Sequence, residues 1–209
     1  MANLKEIRGR IKSIKSIQKV TSAMKMVAAA KLRTSQSNME QCRPYSNKIS
    51  MLVNDLLLEC NKTNFDLMQE REVSKTLYVV ITSDRGMAGA FNTNILKKAQ
   101  SDIDVNGKEQ AIIISIGKKS RDYFKNRNFD IISDYIDFWG ELNFDHAINI
   151  GNEIVDLFIS KKVDQVKVYY NEFKNLATQI IKDVDFLPLK EFDSKEEIKH
   201  IDRLFEPSK

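Results

Sequence analysis

The residues that could ligate a metal or act as nucleophiles are few in this chain and stand far apart. Cys42 and Cys60 lie 18 positions apart, and His146 and His200 are isolated from them and from each other. There is no CxxC pair, so the spacing argues against a metal site. No GxSxG stretch offers a nucleophile to His146, which argues against a hydrolase. We therefore predict no catalytic residue and no metal site, with both cysteines reduced in a cytosolic compartment.

Two further groups of polar residues carry weaker chemical signals. The loop SDRGMAGAFN, residues 83–92, joins a predicted strand to a predicted helix, a position where α/β proteins often bind phosphate. Its GMAG core is neither GxGxxG nor a Walker A motif, and no Lys-Ser or Lys-Thr pair follows. We predict a turn that uses Gly86 and Gly89, followed by a helix cap, and no cofactor. The carboxylates around Trp139 are interpreted as surface charges: Asp134, Asp137 and Glu141.

The strongest signal is the charge of the first residues. Positions 1–33 carry nine basic side chains and one acid, Glu6, so their net charge is +8, whereas the whole chain carries +4. Because like charges along one helix repel, this segment predicts an acidic partner. A nucleic acid or an anionic membrane surface is the alternative. No aromatic residue precedes Tyr45, which argues against base stacking and against an interfacial membrane helix.

An apolar seam follows the same stretch at helical spacing. Its positions recur at steps of three and four residues: Leu4, Ile7, Ile11, Ile14, Ile17, Val20, Met24 and Val27. This pattern is typical of a two-helix coiled coil, with an extra three-residue step that changes the local supercoiling. A helix over residues 1–58 would be roughly 80 Å long, so part of it must project and pack against another element. Pro44 predicts a kink or break near Arg43.

Residues 75–190 show a different pattern, in which short runs rich in β-branched residues alternate with helical segments. The predicted strands lie at 77–82, 110–116, 131–132, 166–170 and 179–186, and the predicted helices at 92–101, 118–126 and 143–161. Apolar strands that alternate with helices predict a three-layer α/β domain with a mainly parallel sheet. In the last helix, the predicted core face comprises Ile148, Ile154, Val155, Phe158 and Ile159.

The predicted organisation therefore has four parts. A long N-terminal coiled-coil helix spans 1–58, a linker spans 59–74, the α/β domain spans 75–190, and a charged tail spans 191–209. In the tail, Ser194 is predicted to cap the start of a helix. Acidic residues follow it in the first turn, where the helix dipole is positive.

Four stretches of the chain resemble the gamma subunit of F-type ATP synthase, and they occur in the order typical of that family. The longest is RIKSIKSIQKVTSAMKMVAAAKLR, from Arg10 to Arg33, and the second is ITSDRGMAGAFNTNI, from Ile81 to Ile95. The third runs from YYNEFKNLATQ to FLPL, and the fourth is LFEPS near the end. One local departure is Met87-Ala88-Gly89, where the family commonly has leucine, cysteine and glycine; the second glycine is kept.

The resemblance implies a non-catalytic central-stalk subunit that couples rotation driven by ion flow to ATP synthesis in a ring of alpha and beta subunits. On the matching motif, the residues implied to touch the beta subunits are Met24, Lys25, Lys31 and Arg33. The α/β domain would form the foot, which binds the epsilon subunit and the c-ring. The foot residues implied to face them are Arg85, Phe205 and Glu206.

The resemblance also implies a second long helix, at the C-terminal end, which would cover the seam and which this sequence lacks. Three explanations stay open: a fragment, a split subunit whose second helix is a separate polypeptide, or a foot domain with only an assembly role. No apolar run reaches 18 residues and no secretory signal begins the chain, so we predict no direct membrane insertion. The implied location is peripheral, at the cytoplasmic face of the bacterial inner membrane, with no nucleic-acid partner.

Overall fold

The computed structural model describes residues 3–59, 65–175 and 178–190. The described residues fall into two compact units, one that ends at Leu58 and one that begins at Glu59. Cys60, Ser194, Phe205 and Glu206 lie outside the described residues, so the predictions made for them stay predictions.

The first unit is built on a single helix. Helix α1 runs from Leu4 to Glu59, 56 residues, which at ~1.5 Å per residue corresponds to about 84 Å. The predicted long helix is confirmed. Of the kink or break predicted near Arg43, the break is wrong, because Pro44 lies inside α1, and the kink stays a prediction. A proline removes its own N–H and frees the carbonyl four residues earlier, that of Glu40. Glu40 is exposed, so water can satisfy that carbonyl and the helix continues.

The second unit is organised around one five-stranded sheet with the order β3-β2-β1-β4-β5. Four strands are parallel, and only β5 runs antiparallel, beside β4. The strands are β1 Thr76–Ile81, β2 Ala111–Ile116, β3 Asp130–Tyr135, β4 Gln165–Phe173 and β5 Gln179–Leu187. Strand β3 is longer than predicted from Ile131 and Ile132, because its pairing with β2 extends to Tyr135. It lies at the edge of the sheet, where alternating polar residues are tolerated.

Helices cover both faces of this sheet. Helices α2 (Phe91–Asn106) and α3 (Lys118–Lys125) pack on one face, and α4 (Phe144–Ile159) packs on the other. The central strand β1 is buried on both sides: Tyr78 and Val80 face the α2–α3 layer, whereas Leu77 and Val79 face the α4 layer. The predicted three-layer α/β domain with a mainly parallel sheet is therefore confirmed.

The packing face of α4 differs in part from the predicted one. Ile154 and Phe158 are buried, and Val155 is half-buried, but Ile148 and Ile159 are exposed. In an α-helix successive residues are about 100° apart, so Ile159 is turned away from Phe158, and Ile148 from Ile154. Ile150 and Leu157 complete the face that packs on the sheet. The apolar residues of α4 therefore split between the core and the surface.

Candidate functional site

The seam of α1 is an open apolar stripe. All eight predicted positions from Leu4 to Val27 are helical, and their side chains are between 43% and 72% exposed. Each three-residue step falls short of the full turn of a straight α-helix. From the first to the last position, the seam therefore drifts by more than half a turn around the helix axis. A second helix can therefore remain on the seam only by winding around α1.

The basic side chains of α1 are equally exposed. The one acid among the first 33 residues, Glu6, accepts a hydrogen bond from Arg10 at 2.7 Å, and both side chains are largely in solvent. Lys25, Lys31 and Arg33 make no ion pair with any other residue that the structure describes. Their charge is therefore available to an acidic partner, and exposed charges of this kind contribute more to encounter and register than to affinity.

The four predicted contact residues do not share one face of α1. Met24 and Lys31 are seven residues apart, so they lie almost above each other along the helix. Lys25 is turned by about 100° from Met24 around the helix axis. Arg33 lies on the side of the helix opposite Met24. Met24 therefore belongs to the apolar seam and Lys31 borders it, whereas Arg33 points away from Met24. Met24 is itself 66% exposed.

The loop after β1 is held by the first residues of α2. The buried Asn92 accepts the backbone N–H of Ser83 at 3.0 Å, and its amide donates to the Ser83 hydroxyl at 2.8 Å. The same hydroxyl donates to the carbonyl of Arg85 at 2.7 Å. The guanidinium of Arg85 is exposed and makes no ion pair with a described residue. The loop is thus a rigid support that presents Arg85 to solvent.

Asp84 connects this loop with the loops that follow the two neighbouring strands. Its carboxylate accepts the backbone N–H of Lys118 at 2.8 Å and that of Asp137 at 2.9 Å. Lys118 follows β2 and Asp137 follows β3, so one side chain ties together the carboxyl ends of three strands. Sequence reasoning missed this role, although an acid directly after a buried parallel strand is a signal that could have shown it.

The N-terminus of α3 cannot serve as a phosphate site in this conformation. The N–H of Lys118 is bound by Asp84, that of Lys119 by the Ser83 carbonyl at 3.3 Å, and that of Ser120 by the Thr82 hydroxyl at 2.8 Å. Anion sites need such N–H groups to be free. The start of α3 is therefore a structural part of this edge of the sheet. In the loop before α2, Gly89 at φ 56° supplies the left-handed residue that the predicted turn needs. The predicted side-chain cap is not formed, because Ala90 is the residue that precedes α2.

A second carboxylate connects strand β3 with helix α4. Glu153 accepts hydrogen bonds from the hydroxyls of Ser133 and Tyr135. Burial, together with the hydrogen bond to Glu153, raises the pKa of Tyr135 to about 12. Sequence reasoning missed this contact as well, because nothing in the spacing relates α4 to an edge strand.

No helix in the described ranges combines the length and the hydrophobicity needed to cross a bilayer.

Comparison with known proteins decides the family. A family model described as ATP synthase matches residues 3–209. The ATP synthase gamma chain of Christiangramia forsetii is 43% identical over 214 aligned residues, which cover all of this chain and 73% of that relative. This chain belongs to the ATP synthase gamma-chain family. The gamma chain of Desulforamulus reducens is 39% identical, with the same coverage of both proteins. The resemblance seen in the sequence is thereby confirmed.

Solved structures agree with the gamma-chain assignment. The central stalk and c-ring structure of the Tetrahymena thermophila mitochondrial ATP synthase matches with a TM-score of 0.64 at 25% identity, over 81% of this chain and 72% of that one. The rotor structure of the Euglena gracilis enzyme shares the fold, with a TM-score of 0.60 at 22% identity over 88% and 62% of the two chains. As a gamma chain, the protein is a non-catalytic central-stalk subunit of a membrane-associated complex.

Proposed function

We propose that α1 is half of an asymmetric shaft that turns inside the ring of alpha and beta subunits and so couples ion-driven rotation to ATP synthesis. The observation that carries the proposal is α1 itself, a 56-residue helix whose first half combines an open apolar seam with exposed positive charge. A seam of this kind calls for a second helix wound around it. A surplus of positive charge calls for acidic surroundings.

The proposed contact with the beta subunits uses Met24, Lys25, Lys31 and Arg33. An acidic loop of a beta subunit would meet Lys31 beside the seam in one orientation of the shaft and Arg33 on the opposite side in another. Because these charges face different directions, rotation changes which beta subunit is contacted. Charge pairs can hold such a register without a large net affinity, so the shaft can bind and still turn.

The proposed contacts of the foot lie at its loop and tail. Arg85 is exposed on a loop that Asn92 and Asp84 hold rigid, so it can bear load against the c-ring or the epsilon subunit. Phe205 and Glu206, which lie outside the described residues, are proposed for the same contact from their place in the LFEPS motif. The location that follows is peripheral, at the cytoplasmic face of the bacterial inner membrane.

The test is retention of the full chain on a purified alpha–beta hexamer in moderate salt. DNA and anionic liposomes serve as the competing supports, because they represent the alternative functions of a basic helix. We expect retention on the hexamer alone. Retention on DNA or on liposomes, without retention on the hexamer, would overturn the proposal.

A charge-matched pair of variants tests the contact residues. Lys31→Gln should weaken retention on the hexamer several-fold, whereas Lys48→Gln, which removes an exposed charge farther along the same helix, should not. Equal retention of the two variants would contradict the assigned contact. Hexamer binding without rotation under ATP hydrolysis would instead leave the chain with only an assembly role.

A further inference from the structure

The start of α4 and the loop before it expose a cluster of large apolar side chains, here called the acidic aromatic patch. It consists of Trp139, Leu142, Phe144 and Ile148, which are 40%, 60%, 70% and 41% exposed. Isolated exposed apolar residues are ordinary, but four within ten positions on one short surface segment are typical of an interaction site. None of the roles assigned to the seam, the contact residues or the foot loop uses them.

The patch is held in one shape by ring stacking and by a helix cap. The Trp139 ring stacks on Phe138 with centroids 4.7 Å apart, and Phe138 stacks on His146 at 5.1 Å. His146 is fixed in turn, because its backbone N–H donates to the Asn143 side chain while its Nδ1 accepts the Asn143 backbone N–H. A binding surface that is already ordered loses little entropy when a partner docks.

The segment that carries the patch is acidic. Residues 128–160 contain seven acids and no lysine or arginine, although Asp134 lies 3.9 Å from the guanidinium of Arg121 on α3. Of the acids nearest the patch, Glu141 and Asp145 are exposed and make no ion pair with another described residue. An acidic rim around an apolar centre repels acidic surfaces and attracts a basic one with an apolar face.

The geometry favours a helix as the occupant. Phe144 and Ile148 are four residues apart on α4 and so form a ridge along one side of its first turns. Ridges of i, i+4 residues pack into the grooves of another helix. We propose that the acidic aromatic patch binds a basic amphipathic helix of another polypeptide, with Trp139 and Phe144 as the buried anchors. Tryptophan is among the residues that most often dominate the binding free energy of such contacts.

The experiment uses the full chain and a fluorescent helical peptide of leucine and lysine, about 18 residues long, with leucine on one face. The same peptide with glutamate in place of lysine is the charge control. We expect the basic peptide to bind, as measured by fluorescence anisotropy, and its affinity to fall between about 50 mM and about 500 mM NaCl. The acidic peptide is expected to bind only along the seam of the basic helix α1, so substitutions in the patch should leave its affinity unchanged. No alpha, beta or c subunit is present, so the result at the patch does not depend on the proposed rotor function.

Matched variants decide where the peptide binds. Phe144→Ser and Leu142→Ser should each weaken binding of the basic peptide by about tenfold. Val105→Ser, which removes an 82% exposed apolar side chain outside the patch, should leave the affinity unchanged. All three positions are exposed, and far-UV circular dichroism checks that each variant keeps its fold.

Three results would overturn the assignment. One is equal binding of the basic peptide by the patch variants and Val105→Ser. Another is a loss of acidic-peptide affinity in Phe144→Ser that equals its loss of basic-peptide affinity. The third is concentration-dependent self-association of the full chain that Phe144→Ser abolishes, since the surface would then belong to a second copy.

Discussion

The Asp84 carboxylate lies 2.8 Å from the backbone nitrogen of Lys118, although the two residues are 34 positions apart in the chain. This hydrogen bond crosses from the end of β1 to the start of α3. Together with the second bond that Asp84 accepts, it makes the edge of the sheet a single rigid platform. The exposed Arg85 follows Asp84 directly, so the platform sets the position of that charge.

Asp84→Ala should loosen this edge of the sheet. The variant leaves two backbone N–H groups without their acceptor, but Asp84 is only half-buried, so water compensates in part. We expect a loss of about 1–2 kcal/mol in the free energy of unfolding. Urea unfolding followed by the fluorescence of Trp139, the only tryptophan, measures it. Asp104→Ala, on the exposed side of α2, should change stability by less than about 0.5 kcal/mol. Equal effects of the two variants would contradict the role given to Asp84.

Gly117→Ala should be far more damaging than Gly107→Ala. Both glycines have φ near +100°, so both variants carry backbone strain of about 1–3 kcal/mol. A Cβ at Gly117 would lie 2.1 Å from the Thr82 carbonyl oxygen, whereas a Cβ at Gly107 meets no atom within 4 Å. The difference in unfolding free energy between the two variants therefore isolates the clash. Thermal unfolding that is the same in both would show that the close approach of Thr82 is not a constraint.

Stability of the α/β unit should fall at alkaline pH, in part through Tyr135. Burial and the hydrogen bond to Glu153 raise the pKa of Tyr135 to about 12, against about 10 in the unfolded chain. Between those values the unfolded state binds fewer protons than the folded state, so the free energy of unfolding decreases as pH rises. Tyr135→Phe should be less stable than the parent chain below pH ~10 and show a shallower decline between pH ~10 and ~12. An identical decline in the two proteins, measured by urea unfolding at each pH, would contradict this assignment.

Pro44→Ala should strengthen the middle of α1. The alanine restores an N–H that can donate to the Glu40 carbonyl and has a higher helix propensity. The expected gain in local helix stability is about 1–3 kcal/mol. Hydrogen exchange of the amides at residues 40–48 reports the change directly. Ser46→Ala, which alters propensity without restoring a hydrogen bond, should slow exchange by much less. Equal protection in the two variants would mean that Pro44 costs α1 little.

The sequence predicted the parts of the fold that depend on residues close together in the chain. The three- and four-residue steps from Leu4 to Val27 predicted the long helix, and the alternation of apolar strands with helices predicted a mainly parallel sheet. These predictions succeed because side-chain periodicity is a local property of helices and strands. The predicted break at Pro44 is wrong because helix propensity does not show whether water can reach the Glu40 carbonyl, which loses its hydrogen bond.

What the sequence by itself determined was therefore the existence of the elements, the positive charge of α1 and the family to which the chain belongs. Only the tertiary structure decided which residues meet at the edge of the sheet. Asp84 reaches Asp137 across 53 positions because parallel strands place their carboxyl ends at the same edge of the sheet. It likewise decided that Ile148 is on the surface and Ile154 in the core. Both residues are isoleucines, and they differ only in whether they lie on the side of α4 that faces the sheet.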